Sequence, residues 1–104
     1  MAGWEVAEHG TRVREFVAGL TDDRAFDEAT ALIKLFAERG NLLREPRSKP
    51  LGDGLFELRG KQVRIFYTFR PGQRIVLLDG MIKKRNDIPP EVVKRVRALQ
   101  KQVR

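Results

Sequence analysis

Between Leu55 and Ile82 the chain runs through three apolar-rich segments separated only by Gly60-Lys61 and Pro71-Gly72. Short connections of this kind leave room for antiparallel neighbours and none for a crossover, so the segment predicts a meander of strands over 55–59, 63–70 and 74–82. Pro-Gly suits a reversal because proline presets φ and glycine accepts positive φ. Strand alternation puts Leu55, Glu57 and Arg59 on one face, opposite Phe56 and Leu58. In the second strand Val63, Ile65, Tyr67 and Phe69 share a face, opposite Arg64, Phe66 and Thr68. The third strand is apolar on both faces, which predicts a central place in the sheet.

Helices flank this meander. Thr11 can cap a helix carrying Val13, Phe16, Val17 and Leu20 at helical spacing. Thr21-Asp22-Asp23 supplies a cap and first-turn carboxylates for a second, with the stripe Phe26, Ala29, Leu32, Ile33, Phe36, Ala37, and Gly40 ends it. Trp4 and Val6 alternate with polar neighbours and predict a short first strand. The segment Asn41 to Gly54, with Pro46, Pro50, Gly52 and Gly54, reads as a loop. Asp87-Ile88-Pro89-Pro90 opens a last helix with Val92, Val96, Leu99 and Val103 on its apolar stripe. The predicted class is α+β in the order β-α-α-β-β-β-α. A small, mostly antiparallel sheet is backed by an N-terminal helical hairpin and followed by a C-terminal helix. At 104 residues this is one domain over 1–104, too short for two cores.

Charge divides along the chain. Residues 1–40 hold five Lys/Arg against eight Asp/Glu, a net −3, whereas residues 41–104 hold sixteen against six, a net +10. Such a half suits a polyanion: RNA, DNA or anionic lipid. The absence of cysteine removes disulfides and thiolate chemistry and fits the cytoplasm. The longest aliphatic run, Ile75 to Leu78, is far short of a membrane span, so no membrane partner is expected.

Common catalytic constellations are missing. His9 stands alone before the first helix, Ser48 has no histidine–acid pair, and no spacing of His, Asp and Glu predicts a metal site or a cofactor. Leu51-Gly-Asp-Gly-Leu55 matches no phosphate-binding fingerprint and reads as a turn. Glu57 and Asp79 on strands are better explained by pairing with Arg59 and Arg64 than as magnesium ligands. What remains is cationic. A meander brings the end of its first strand, the start of its second and the end of its third to one edge. Arg59, Arg64 and Lys83-Lys84-Arg85 should meet there, with Lys49 in the preceding loop. Cations can stabilise a pentavalent phosphate formed when an RNA 2′-OH attacks its neighbouring phosphodiester, and a lysine can carry the proton. From the charges alone, plain contact with phosphates or solvent explains the cluster better, because three adjacent basic residues are a common loop feature.

The strands Leu55-Phe-Glu-Leu-Arg59, Val63-Arg-Ile-Phe-Tyr67 and Ile75-Val-Leu-Leu-Asp-Gly-Met-Ile-Lys-Lys-Arg85, with Pro89-Pro90 beyond, resemble the RelE/ParE superfamily of bacterial toxins, most closely its HigB-like, phage-derived branch. The resemblance covers essentially the whole chain and implies a RelE-like fold. It implies the toxin of a type II toxin–antitoxin system, a metal-independent endoribonuclease that cuts mRNA on the translating ribosome. A helix-turn-helix-type antitoxin, the ribosome and mRNA are the partners it implies. It assigns catalysis to Arg64, Lys83 and Lys84, and matches Arg59 to the arginine that closes the family's E-L-R strand and bridges to Glu57. The cation cluster adds phosphate contacts from Arg59, Lys49, in the family's variable loop, and Arg85. Many relatives carry a tyrosine near the C-terminus or histidines in the sheet; here the matching neighbourhoods hold Ile88-Pro89-Pro90 and no histidine. ParE-like relatives act on DNA gyrase instead, and a catalytically degenerate nucleic-acid-binding module is the third possibility.

Overall fold

A computed structural model describes residues 4–40, 46–84 and 87–103. Its elements are β1 (Glu5–Glu8), α1 (Arg12–Ala18), α2 (Asp23–Arg39), β2 (Ser48–Gly52), β3 (Leu55–Arg59), β4 (Val63–Arg70), β5 (Arg74–Ile82) and α3 (Pro90–Gln102). One five-stranded sheet has the order β1-β5-β4-β3-β2. Pairing is antiparallel throughout except between β1 and β5, which run parallel. The α+β class and the three meander strands agree with the sequence reading, residue for residue at the strand ends. β5 is central, between β4 and β1, as its two apolar faces demand.

One element departs from that reading. Part of the expected 41–54 loop is the edge strand β2, which pairs Ser48 with Leu58, Lys49 with Glu57 and Pro50 with Phe56. Proline is compatible with an edge, where its missing N–H costs no ladder bond, and the register slips between Pro50 and Gly52. Gly52, Asp53 and Gly54 then reverse the chain with φ of 94°, 53° and 81°, which only a glycine-rich turn accepts cheaply.

Helices cover both faces of the sheet. On one, α1 and α2 enclose Leu58, Val63, Ile65, Tyr67, Ile75 and Leu77 with Ala29, Leu32 and Phe36. Phe36 meets Tyr67 edge-on at 4.2 Å between ring centroids, while Phe56 stacks on Tyr67 at 5.4 Å. Asp22 starts α2 by accepting from the backbone N–H groups of Arg24 and Ala25 at 2.8 and 3.3 Å, so the predicted cap is present. Thr11 precedes α1 without a side-chain cap bond. Phe26, expected in the stripe of α2, is 43% exposed, because the buried face is rotated toward Ala25. On the other side, Val92 and Val96 of α3 pack on Leu55, Phe66 and Leu78. Polar contacts fix this helix further. Arg97 donates to the carbonyls of Leu51 and Gly52, and Gln100, buried, to that of Asp53. The His9 ring N–H donates to Gln102 at 2.7 Å, giving that histidine a structural place. No helix among the described residues is long and apolar enough to cross a membrane.

Candidate functional site

Cations gather on the α3 side of the sheet, at the end where β3 turns into β4. In the β3–β4 ladder Arg59 pairs directly with Arg64, and Arg64 pairs across to Met81 of β5. Lys83 extends the ladder by donating its backbone N–H to the carbonyl of Gln62 at 2.6 Å. On the outer side Lys49 lies opposite Glu57. The expected convergence of Arg59, Arg64 and Lys83 is therefore a consequence of strand register, with Lys49 joining from β2 and Lys84 following Lys83. Arg85 lies outside the described residues.

The two arginines are not equivalent. Arg64 has a side chain only 6% exposed, with Nη1 donating to the carbonyls of Gly60 and Val63 at 2.5 and 3.0 Å and Nε 3.6 Å from Glu57. Burial pushes its guanidinium below the ordinary arginine value; Glu57 opposes that shift, Arg59 adds to it, and Glu28 opposes it. Arg59, 29% exposed, reaches Glu57 through Nε at 3.4 Å. Glu57 is thus a buried carboxylate held between two arginines, and the predicted pairing is present. Asp79 differs: its partners are Arg12 of α1 and Arg95 of α3, at 3.1 and 2.7 Å, rather than the strand arginines. Lys49, Lys83 and Lys84 make no ion pair among the described residues. Lys83 is half-buried and the other two are exposed.

Beside Met81 and Lys84 opens a cavity of about 480 Å³, walled by Ile88, Pro89 and Pro90 with Asp87 and Glu91. Its mixed apolar and polar lining was not legible as a site in the sequence, because it joins the end of β5 to the start of α3. Tyr67 points away from the cations, its hydroxyl bonded to Ser48 beneath α2. No group of three His, Cys, Asp or Glu side chains able to hold a metal occurs among the described residues. The arrangement can bind phosphates through fixed forks and mobile ammoniums, and can stabilise negative charge that develops on one of them.

Comparison with known proteins agrees with the fold. The family described as "Phage derived protein Gp49-like (DUF891)" matches residues 16–101. Among solved structures, the RelBE2 toxin–antitoxin complex from Mycobacterium tuberculosis contains a chain 26% identical, with a TM-score of 0.55, covering 82% of this chain and 97% of that one. A chain of the archaeal RelE–RelB complex from Pyrococcus horikoshii OT3 shares the fold at 15% identity and a TM-score of 0.62, covering 80% and 98%. A search of curated proteins gave no match.

Proposed function

This chain belongs to the phage-derived Gp49-like family, within the RelE superfamily of toxins, and on that premise we propose that it cleaves mRNA on the translating ribosome. In this reading it is the toxin of a toxin–antitoxin pair, held inactive by its antitoxin. The observation that carries the proposal is the surplus of cations around Glu57: Arg59, partly exposed, with Lys49, Lys83 and Lys84 nearby and without an ion pair among the described residues.

Cleavage would proceed by transesterification. The 2′ oxygen attacks phosphorus as its proton passes to solvent water, and an ammonium of the Lys83–Lys84 pair protonates the departing 5′ oxygen. A 2′,3′-cyclic phosphate and a 5′-hydroxyl result. The Arg59 fork faces the non-bridging oxygens, where charge rises in the transition state. Arg64 stands behind it: already bonded to two carbonyls and Glu57, it orients Arg59 instead of touching the phosphate. An unstacked base can enter the cavity beside Met81, where Ile88 and Pro89 offer apolar walls.

A second reading, RNA binding without cleavage, draws on the chemistry of the site, where neither tyrosine nor histidine stands beside the cations among the described residues. Mapping new 5′ ends on mRNA bound to translating ribosomes separates the two. Wild-type protein should create discrete ends, and the Lys83→Ala, Lys84→Ala double variant should not. Intact mRNA with salt-sensitive RNA binding selects the second reading. Intact mRNA with DNA breakage would instead indicate a gyrase-directed toxin.

A further inference from the structure

We infer that Glu28, a residue of α2 on the far side of the sheet, is a positioning residue for the cationic site, acting through the Gly60–Gln62 turn. Its carboxylate takes three successive backbone N–H groups: Lys61 on Oε2 at 2.9 Å, and Gln62 and Val63 on Oε1 at 2.9 and 2.7 Å. Consecutive amides converging on one anion make a strong, directional cradle, and such charge-assisted bonds exceed neutral ones. A helix glutamate with no task beyond solubility would face water.

The turn passes this constraint on. Its Gly60 carbonyl accepts from the Arg64 guanidinium and its Gln62 carbonyl from the Lys83 backbone N–H. Gly60 N–H closes the turn on Val63 O at 2.9 Å. One loop is therefore tied on one side to Glu28 and on the other to two residues of the candidate site. Gly60 completes the device. A Cβ there would stand 2.4 Å from Glu28 Oε1, so only glycine lets the carboxylate reach the amides. Its φ lies outside the left-handed region, so alanine would keep the backbone while displacing the carboxylate.

The catalytic consequence rests on the cleavage reading above; the positioning itself does not. Two variants break the same contact by different routes, Glu28→Ala by removing the carboxylate and Gly60→Ala by excluding it. Each should lower kcat for mRNA cleavage per folded molecule by about tenfold with KM little changed, as misplacement predicts. The double variant should be no worse than either single one. Independently of cleavage, titration with inorganic phosphate followed by NMR should show the Arg59 Nε–H response weakened in both variants, with the Arg64 Nε and Lys83 amide signals moved. If Glu28→Ala does not fold, Gly60→Ala, which retains every charge, decides alone. Additive losses in the double variant overturn the inference. So do lowered stability with unmoved Arg64 and Lys83 signals and full phosphate response. Absence of cleavage by the wild type, with the NMR effects present, would fail the cleavage reading and leave the positioning standing.

Discussion

Two carboxylates, Glu57 on β3 and Asp79 on β5, flank Phe66 of β4 in one cross-strand row, and each is 3% exposed and held by two arginines. Their similarity ends at the partners. Arg12 and Arg95 come to Asp79 from helices on different layers and are 45% and 39% exposed, and a third bond, from Gly80 N–H, completes the carboxylate. Asp79 is a clasp joining α1 and α3 to the sheet. Arg59 comes to Glu57 from the same strand and Arg64 from neighbouring β4, and beyond them stand lysines with no counter-charge among the described residues. A buried carboxylate between arginines is thus not by itself a site. The positive charge left unneutralised around it is what distinguishes one region from the other.

The contrast can be broken most forcefully at Glu57. Replacing it with alanine leaves Arg64 buried without its counter-ion, at a cost of about 3–5 kcal/mol; urea denaturation should show this as a lowered midpoint with unchanged slope. The second test opposes two partly exposed arginines. Arg59→Ala should reduce mRNA cleavage about a hundredfold, whereas Arg95→Ala should leave it unchanged per folded molecule. Equal losses would erase the distinction. Third, Asp79→Ala should cost about 2 kcal/mol by urea denaturation, chiefly for the orphaned Gly80 N–H, since its half-exposed arginines can turn to water. RNA affinity should survive it. The smallest effect belongs to the rim: Lys49→Ala and Lys84→Ala should each reduce the slope of log affinity against log salt for single-stranded RNA by about 0.7. Arg12→Ala should leave that slope alone.

Much of this was legible in the chain because it is local. Strand alternation and the two short turns located β3, β4 and β5, and their register alone brought Arg59, Arg64 and Lys83 together. The edge strand β2 escaped because Pro50 and Gly52 mark loops in most settings, and only the partner strand reveals that they tolerate pairing here. The burial of Arg64 was likewise hidden. Alternation gives its face, but not the Gly60 carbonyl and Glu57 that enclose it. Asp79 was assigned the wrong arginines for the same reason: Arg12 lies 67 residues away, on a helix whose docking no periodicity records. Glu28 carries no signal at all in sequence, since its partners are backbone amides 33 to 35 residues along the chain.

The parallel pairing of β1 with β5 also sets an order of assembly. The first strand of the chain waits for the last strand of the sheet, because Glu5–Glu8 has no other neighbour in the ladder among the described residues. Contacts this distant in sequence form late, after the loop-closing entropy of the nearly seventy residues between the paired positions Glu5 and Arg74 has been overcome. Arg59 and Arg64 precede β5 in the chain, so they are joined to β3 and β4 before β5 can hold β4 from its other side. A chain ending before Arg74 therefore carries Lys49, Arg59 and Arg64, half of the candidate cations, without the strand that holds β4 from its other side.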